Sequence, residues 1–148
     1  MHGQNLPRTP QMVGQAGAHH AAAQLLKHGI ISAFPNVDVG YDLLTDAGGT
    51  LRRVQVKTEL VGVKGRPELR QLRYSLRRRK GKKLSPEDTT NLDKRYTTDM
   101  IDAMIFVTFR HDTLFIVPAA EIDFTRDWIY YSQLHLWENA WWALTQGT

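Results

Sequence analysis

The stretch 40-GYDLLTDAGGTLRRVQVKT-58 holds two runs of strand-forming residues about the turn Asp46-Ala47-Gly48-Gly49. Paired glycines at that point supply the positive φ angles that tight hairpins need. The first run is expected as a strand over 40–45 and its return over 51–58. With the turn centred on Gly48 and Gly49, Asp42 falls opposite Gln55, and directly paired residues share a sheet face. Val54 and Val56 alternate with Gln55 and Lys57, so Gln55 and Lys57 share that face as well. A carboxylate, an amide and an ammonium are thereby aimed at one point.

Working outward, Ala16, Ala18, Ala21, Ala22, Ala23, Leu25 and Leu26 predict a helix over 14–28, ended by Gly29 as a left-handed cap. Positions 18, 22, 25 and 29 share a face, which turns Ala18 inward. A short extended run covers 30–34, stopped by Pro35. Beyond the hairpin, Leu72, Tyr74 and Leu76 alternate with Arg73, Ser75 and Arg77, which predicts a third meander strand with an arginine face; a helix with Arg70, Arg73, Arg77 and Lys80 on one side competes. A basic loop follows over 78–83, and Ser85-Pro86-Glu87-Asp88 marks a helix start. Strands are expected over 103–109 and 113–117, with a turn or short helix over 118–123. Leu134, Trp137, Trp141 and Leu144 recur at helical spacing and predict a helix over 132–144, with Trp142 the most exposed tryptophan. The order is that of an α/β domain with a mixed central sheet. Residues 1–12 read as a flexible arm and 13–148 as one domain.

The convergent trio suits phosphodiester hydrolysis. Asp42, the amide oxygen of Gln55 and the main-chain carbonyl of Val56 are hard oxygen ligands for Mg²⁺ (or Mn²⁺), which keeps several waters when protein ligands are few. Such an ion acidifies bound water, and Lys57 could orient that water or neutralise transition-state charge. Taken singly, Asp42 also reads as a strand-end aspartate held by backbone donors, and Gln55 with Lys57 as a solvated strand face.

Together, Gly40-Tyr41-Asp42-Leu43, the short hairpin and Gln55-Val56-Lys57-Thr58 resemble the core of PD-(D/E)XK nucleases. The glutamine form of the motif is similar to that of bacterial group I intron homing endonucleases of this superfamily. The helix end Ala22-Ala23-Gln24-Leu25-Leu26-Lys27-His28-Gly29 resembles the helix before their motif. Asp102-Ala103-Met104-Ile105-Phe106-Val107 and Phe115-Ile116-Val117-Pro118 resemble their later strands. The resemblance spans roughly residues 13–121. It implies a restriction-endonuclease-like αβββαβ core, Mg²⁺-dependent cleavage of double-stranded DNA, and a symmetric homodimer or homotetramer.

One position departs from the pattern. The resemblance implies a catalytic glutamate in the first helix, in a Gly-Glu pair that matches Gly17-Ala18, and Ala18 carries no ligand. A deliberate inactivating substitution, partial replacement by His19 or His20, and a natural binding version that has lost cleavage would each account for it.

Bulk properties narrow the partners. The 148 residues hold 42% hydrophobic and 23% charged side chains, as in ordinary globular domains, and no cysteine, which excludes disulfides and thiolate metal sites. No run reaches the roughly 18 apolar residues of a membrane span, and no apolar leader is present, so a cytoplasmic, nucleoid-associated protein is expected. Of the net charge of +4, residues 64–83 carry +9, from ten basic residues against Glu68, which leaves the remainder at −5. One basic segment on an acidic body points to a polyanion. Arg66, Arg70, Arg73, Arg77, Arg78, Arg79, Lys80, Lys82 and Lys83 are the candidate DNA contacts. The alternatives to a homing enzyme are a Holliday-junction or structure-selective nuclease and a non-catalytic DNA-binding module. The aromatic C-terminal helix is the candidate subunit interface.

Overall fold

A computed structural model describes residues 9–59, 72–78, 95–109 and 113–146. Residues 1–8 of the expected arm, the expected helix start at 85–88, and Arg66, Arg70, Arg79, Lys80, Lys82 and Lys83 lie outside the described residues.

The first helix, α1, spans Pro10–Lys27. It begins four residues earlier than the alanine pattern suggests, because Thr9 and Pro10 form a stronger start signal. The Thr9 hydroxyl accepts the Met12 N–H at 3.2 Å, and proline at the first position needs no donor. Gly29, at φ 76°, ends it as expected. Val13, Gly17, Ala18, Ala21 and Leu25 form its buried side.

The hairpin is formed by β2 (Leu43–Ala47) and β3 (Thr50–Thr58), preceded by the short β1 (Ile31–Ala33). Gly48 and Gly49 both have positive φ, and Asp46 Oδ1 accepts the Gly49 N–H at 2.7 Å. The Asp42 N–H donates to the Val54 carbonyl at 2.9 Å, off the regular ladder, whose last pair is Leu43 with Val54. That is the register expected from the glycine turn.

The central sheet runs β1-β2-β3-β5-β6, with β5 at Ala103–Val107 and β6 at Leu114–Pro118. Only β3 and β5 pair in parallel, so the sheet is mixed. Every residue of β5 is buried, as expected of a strand covered on both faces. On one side Ala18, Ala21 and Leu25 of α1 pack on Leu43, Val54, Val56 and Ile105. On the other, Met104 and Phe106 meet Leu72, Tyr74, Leu76 and Tyr96.

Two expectations are corrected. The strand expected over 72–77 forms as β4 (Arg73–Ser75), which excludes the arginine helix, but it does not join the meander. It pairs with β7 (Trp128–Tyr130) as a separate two-stranded ribbon, and β1 completes the meander instead. The edge of β3 goes to β5, which is apolar on both faces, whereas β4 and its flanks are apolar only through Leu72, Tyr74 and Leu76. The helix expected over 132–144 is also absent. The chain makes 3-10 turns at Tyr131–Gln133 and His135–Trp137 and a single turn, α2, at Trp142–Thr145. Asn139 takes φ 48°, and its N–H donates to the Leu114 carbonyl at 2.8 Å, while Glu138 bridges to Phe115. This segment covers the β6 edge, so Leu134 and Leu144 enter the cores on opposite faces of the sheet. The periodic apolar residues thus never share a helical face, and no aromatic helix exists there to serve as an interface. Trp142 is the more exposed of Trp128 and Trp142, the two tryptophans on the surface.

Candidate active site

β2 stops pairing with β3 just beyond Asp42, so the next outward N–H of β3, that of Val56, loses its strand partner. The Asp42 carboxylate takes that place: Oδ2 accepts the Val56 N–H at 2.9 Å and Gln55 Nε2 at 2.5 Å. The same amide nitrogen lies 3.4 Å from the Val56 carbonyl. Asp42, Gln55 and Val56 are therefore brought together as the sequence suggests. Lys57 lies on the Gln55 face, where its Nζ donates to the Arg77 carbonyl at 2.9 Å and sits 4.9 Å from the centre of the Tyr96 ring.

The electrostatics follow from this packing. Burial pushes the Asp42 carboxyl up, with Asp38 adding to the rise, while the Val56 N–H, the Lys57 charge and Gln55 oppose it. Burial brings the Lys57 ammonium down to about 8 against the pull of Asp42. Burial raises Tyr96 well above its ordinary value, helped by Asp42 and Asp38 and resisted by Arg78. A lysine lowered this far beside a buried carboxylate is a combination that acid–base chemistry can use.

Ala18 is buried as expected, but in the cluster that includes Val54 and Val56. Gln55 and Lys57 alternate with those valines along β3, so their side chains leave the face that Ala18 packs on, while the Asp42 carboxylate lies at the strand edge against the Val56 N–H. Among the described residues no group of three or more His, Cys, Asp or Glu side chains could hold a metal; the His19 ring lies 4.6 Å from that of Phe34 and the His20 ring 6.3 Å from that of Phe109. The remaining donors still suit a hard cation. The Gln55 NH₂ group is poised between Asp42 Oδ2 and the Val56 carbonyl, where a positive centre is favoured. With the amide turned over, its oxygen would join theirs as a third ligand, a small set of the kind a water-rich Mg²⁺ accepts.

The described arginines divide. Arg77 is held by Asp127 through Nε at 2.8 Å and Nη2 at 2.9 Å, and Arg95 joins the same carboxylate. Arg78 leans toward the Tyr96 ring, 5.9 Å from its centre. Arg73 stacks on Trp128 at 4.1 Å. Reading the sequence missed Tyr96 and Asp38. The Asp38-Val39-Gly40 turn, in which Asp38 Oδ1 accepts the Gly40 N–H at 3.1 Å, was a usable local signal. Nothing local marks Tyr96, which arrives from outside the hairpin.

A sequence profile of the PD-(D/E)XK endonuclease family matches residues 8–136. The structure of a bacterial homing endonuclease, I-Ssp6803I, superposes with a TM-score of 0.70 at 20% identity, covering 90% of this chain and 91% of that one. Hjc, a Holliday junction resolvase from Archaeoglobus fulgidus, superposes with a TM-score of 0.56 at 16% identity, covering 91% and 98%. At these identities the two structures speak to the fold. No curated protein matches the chain by sequence.

Proposed function

We infer that this chain, which belongs to the PD-(D/E)XK endonuclease family, is a Mg²⁺-dependent, site-specific endonuclease of double-stranded DNA, of the homing kind. The observation that carries this reading is the meeting of Asp42, Gln55, the Val56 carbonyl and Lys57 where β2 leaves β3. The glutamine form of the motif and the fold shared with the homing endonuclease favour that branch.

A divalent ion held there would acidify a water and offset charge on the phosphate. Asp42, Gln55 and Val56 would supply its protein ligands. Lys57, steadied by the Arg77 carbonyl and the Tyr96 ring, stands ready to take a proton from the attacking water or to face the developing negative charge. The basic segment over 64–83 supplies the attraction for the DNA backbone. Two or more copies related by symmetry would present one site to each strand, so a homodimer or homotetramer is proposed. A nucleoid-associated, cytoplasmic setting follows from the substrate. Among the described residues no helix is long and apolar enough to cross a membrane.

The test is a cleavage panel of linear duplex and four-way junction DNA with Mg²⁺ or Mn²⁺, run with this chain and its Ala18→Glu variant. Sequence-dependent duplex cutting by either supports the homing reading. Junction-selective cutting of any sequence supports a resolvase, the reading favoured by the near-complete coverage of Hjc. Tight DNA binding with no cleavage by either chain would replace the enzyme with a binding module.

A further inference from the structure

The β4–β7 ribbon has two unlike faces. Leu72, Tyr74 and Leu76 are buried against Phe106 and its neighbours, and this fixes the ribbon to the domain. The outer face pairs Arg73 with Tyr130 and Ser75 with Trp128. Trp128 and Tyr130 remain 39% and 36% exposed on that face. Among the described residues the Arg73 guanidinium has no carboxylate partner; it lies against the Trp128 ring at 4.1 Å. Stacking limits the freedom of the guanidinium, and a fork held in this way loses less entropy when it makes a bidentate contact.

We propose that this outer face, with Arg73 stacked on Trp128 and Tyr130 beside it, enters the major groove of duplex DNA and reads base edges next to the cut. The proposal rests on the nuclease reading and adds to it a specificity surface. A two-stranded ribbon fits the major groove, and an arginine fork there matches the two acceptors of guanine. The ribbon is also indexed to the chemistry, because the carbonyl that holds Lys57 belongs to Arg77, in the segment that continues from β4. At about 3.3 Å per residue Arg73 lies about 13 Å from Arg77 along the strand, or roughly four base-pair steps. Arg77, occupied by Asp127, acts in this arrangement as the fixed base of the ribbon.

The experiment selects bound duplexes from a pool of random-sequence DNA in EDTA, so that nothing is cut, using the unaltered chain, Arg73→Lys and Trp128→Leu. Circular dichroism checks that the variants fold. Arg73→Lys keeps the charge, so its affinity for arbitrary duplex should stay within about twofold. Its discrimination should fall about tenfold or more at one or two guanine positions. Trp128→Leu should weaken the same positions. Unchanged preference in both variants overturns the proposal and leaves the nuclease reading standing. Uniform weakening across all sequences overturns it in favour of a phosphate contact, and tighter binding of single-stranded oligonucleotides overturns it in favour of a stacking platform. No duplex binding by the unaltered chain overturns both readings together.

Discussion

Asp42 Oδ2 accepts hydrogen bonds from the Val56 N–H at 2.9 Å and from Gln55 Nε2 at 2.5 Å, so one carboxylate oxygen both closes the sheet ladder and anchors the candidate metal site. The two roles pull in different directions. The ladder needs only an acceptor, whereas metal binding needs the charge, and burial pushes the carboxyl up because that charge is poorly solvated.

Asp42→Asn should therefore separate them. The amide oxygen still accepts from Val56 and the buried charge is gone, so thermal stability should hold or rise by a few degrees. Cleavage in Mg²⁺ should fall by about 100-fold or more. Asp42→Ala should also lose cleavage and should cost about 1–2 kcal/mol, since the Val56 N–H is left without an acceptor. Calorimetry beside a duplex-cleavage assay checks both; an Asn variant as unstable as the Ala variant would contradict this account of the carboxylate.

Gln55→Glu tests the metal directly. Without an ion it sets a second carboxylate at the contact now made by Nε2 on Asp42, so the melting temperature in EDTA should drop. With Mg²⁺ the same pair becomes a better ligand set, and the rise in melting temperature on adding metal should exceed that of the unaltered chain. Equal metal-induced shifts in the two proteins would place the ion elsewhere.

The hairpin and the meeting of Asp42 with Gln55 were legible because a glycine-paired turn fixes the register. Once Gly48 and Gly49 are placed, Leu43 must face Val54, which brings the Asp42 and Gln55 side chains together. The partner of β4 was not legible. Its alternation marks a strand with one buried face but does not say which distant strand it meets, and residues 128–130 lie far along the chain. The segment over 132–144 misled for a related reason. Leu134 and Leu144 are apolar because they enter opposite cores around the β6 edge, and that wrapping imitates a helical period. Tyr96 joins the site only through tertiary packing beneath Lys57, which no local pattern records.

At Gly17 α1 comes close to Thr58 at the end of β3. A Cβ there would fall 1.8 Å from Thr58 Oγ1 and 2.9 Å from Thr58 Cβ. Gly17→Ala gains helix propensity but must displace the helix or Thr58, and should cost about 1–3 kcal/mol. Thr58→Ala on that background should restore stability only in part, because the Thr58 Cβ contact persists. Because Thr58 follows Lys57, the single variant should also lose activity beyond its loss of folded protein. Denaturant titration of both variants checks this, and a Gly17→Ala chain as stable as the original would refute the close contact.

Arg53 and Asp102 tie β3 to the start of β5. Asp102 Oδ2 accepts the Arg53 N–H at 2.7 Å and Nε at 3.1 Å, while Oδ1 accepts Nη2 at 3.0 Å. Burial works to raise the Asp102 carboxyl, but the Arg53 hydrogen bonds and charge outweigh it and hold it below the usual carboxylate value. A carboxylate depressed in the fold binds its proton more weakly there than in the unfolded chain. Its stabilisation is complete above the unfolded value, near pH 4, and is lost as pH falls through the folded value. Both side chains remain about one third exposed, so solvent screening limits the ion pair to about 1 kcal/mol. Asp102→Asn should thus be less stable than the unaltered chain at pH 7 by about that amount, and the gap should close steadily below pH 4. Urea unfolding at pH 7, 5 and 3 measures it, and a gap independent of pH would mean that packing, rather than the carboxylate charge, sets the contribution of Asp102.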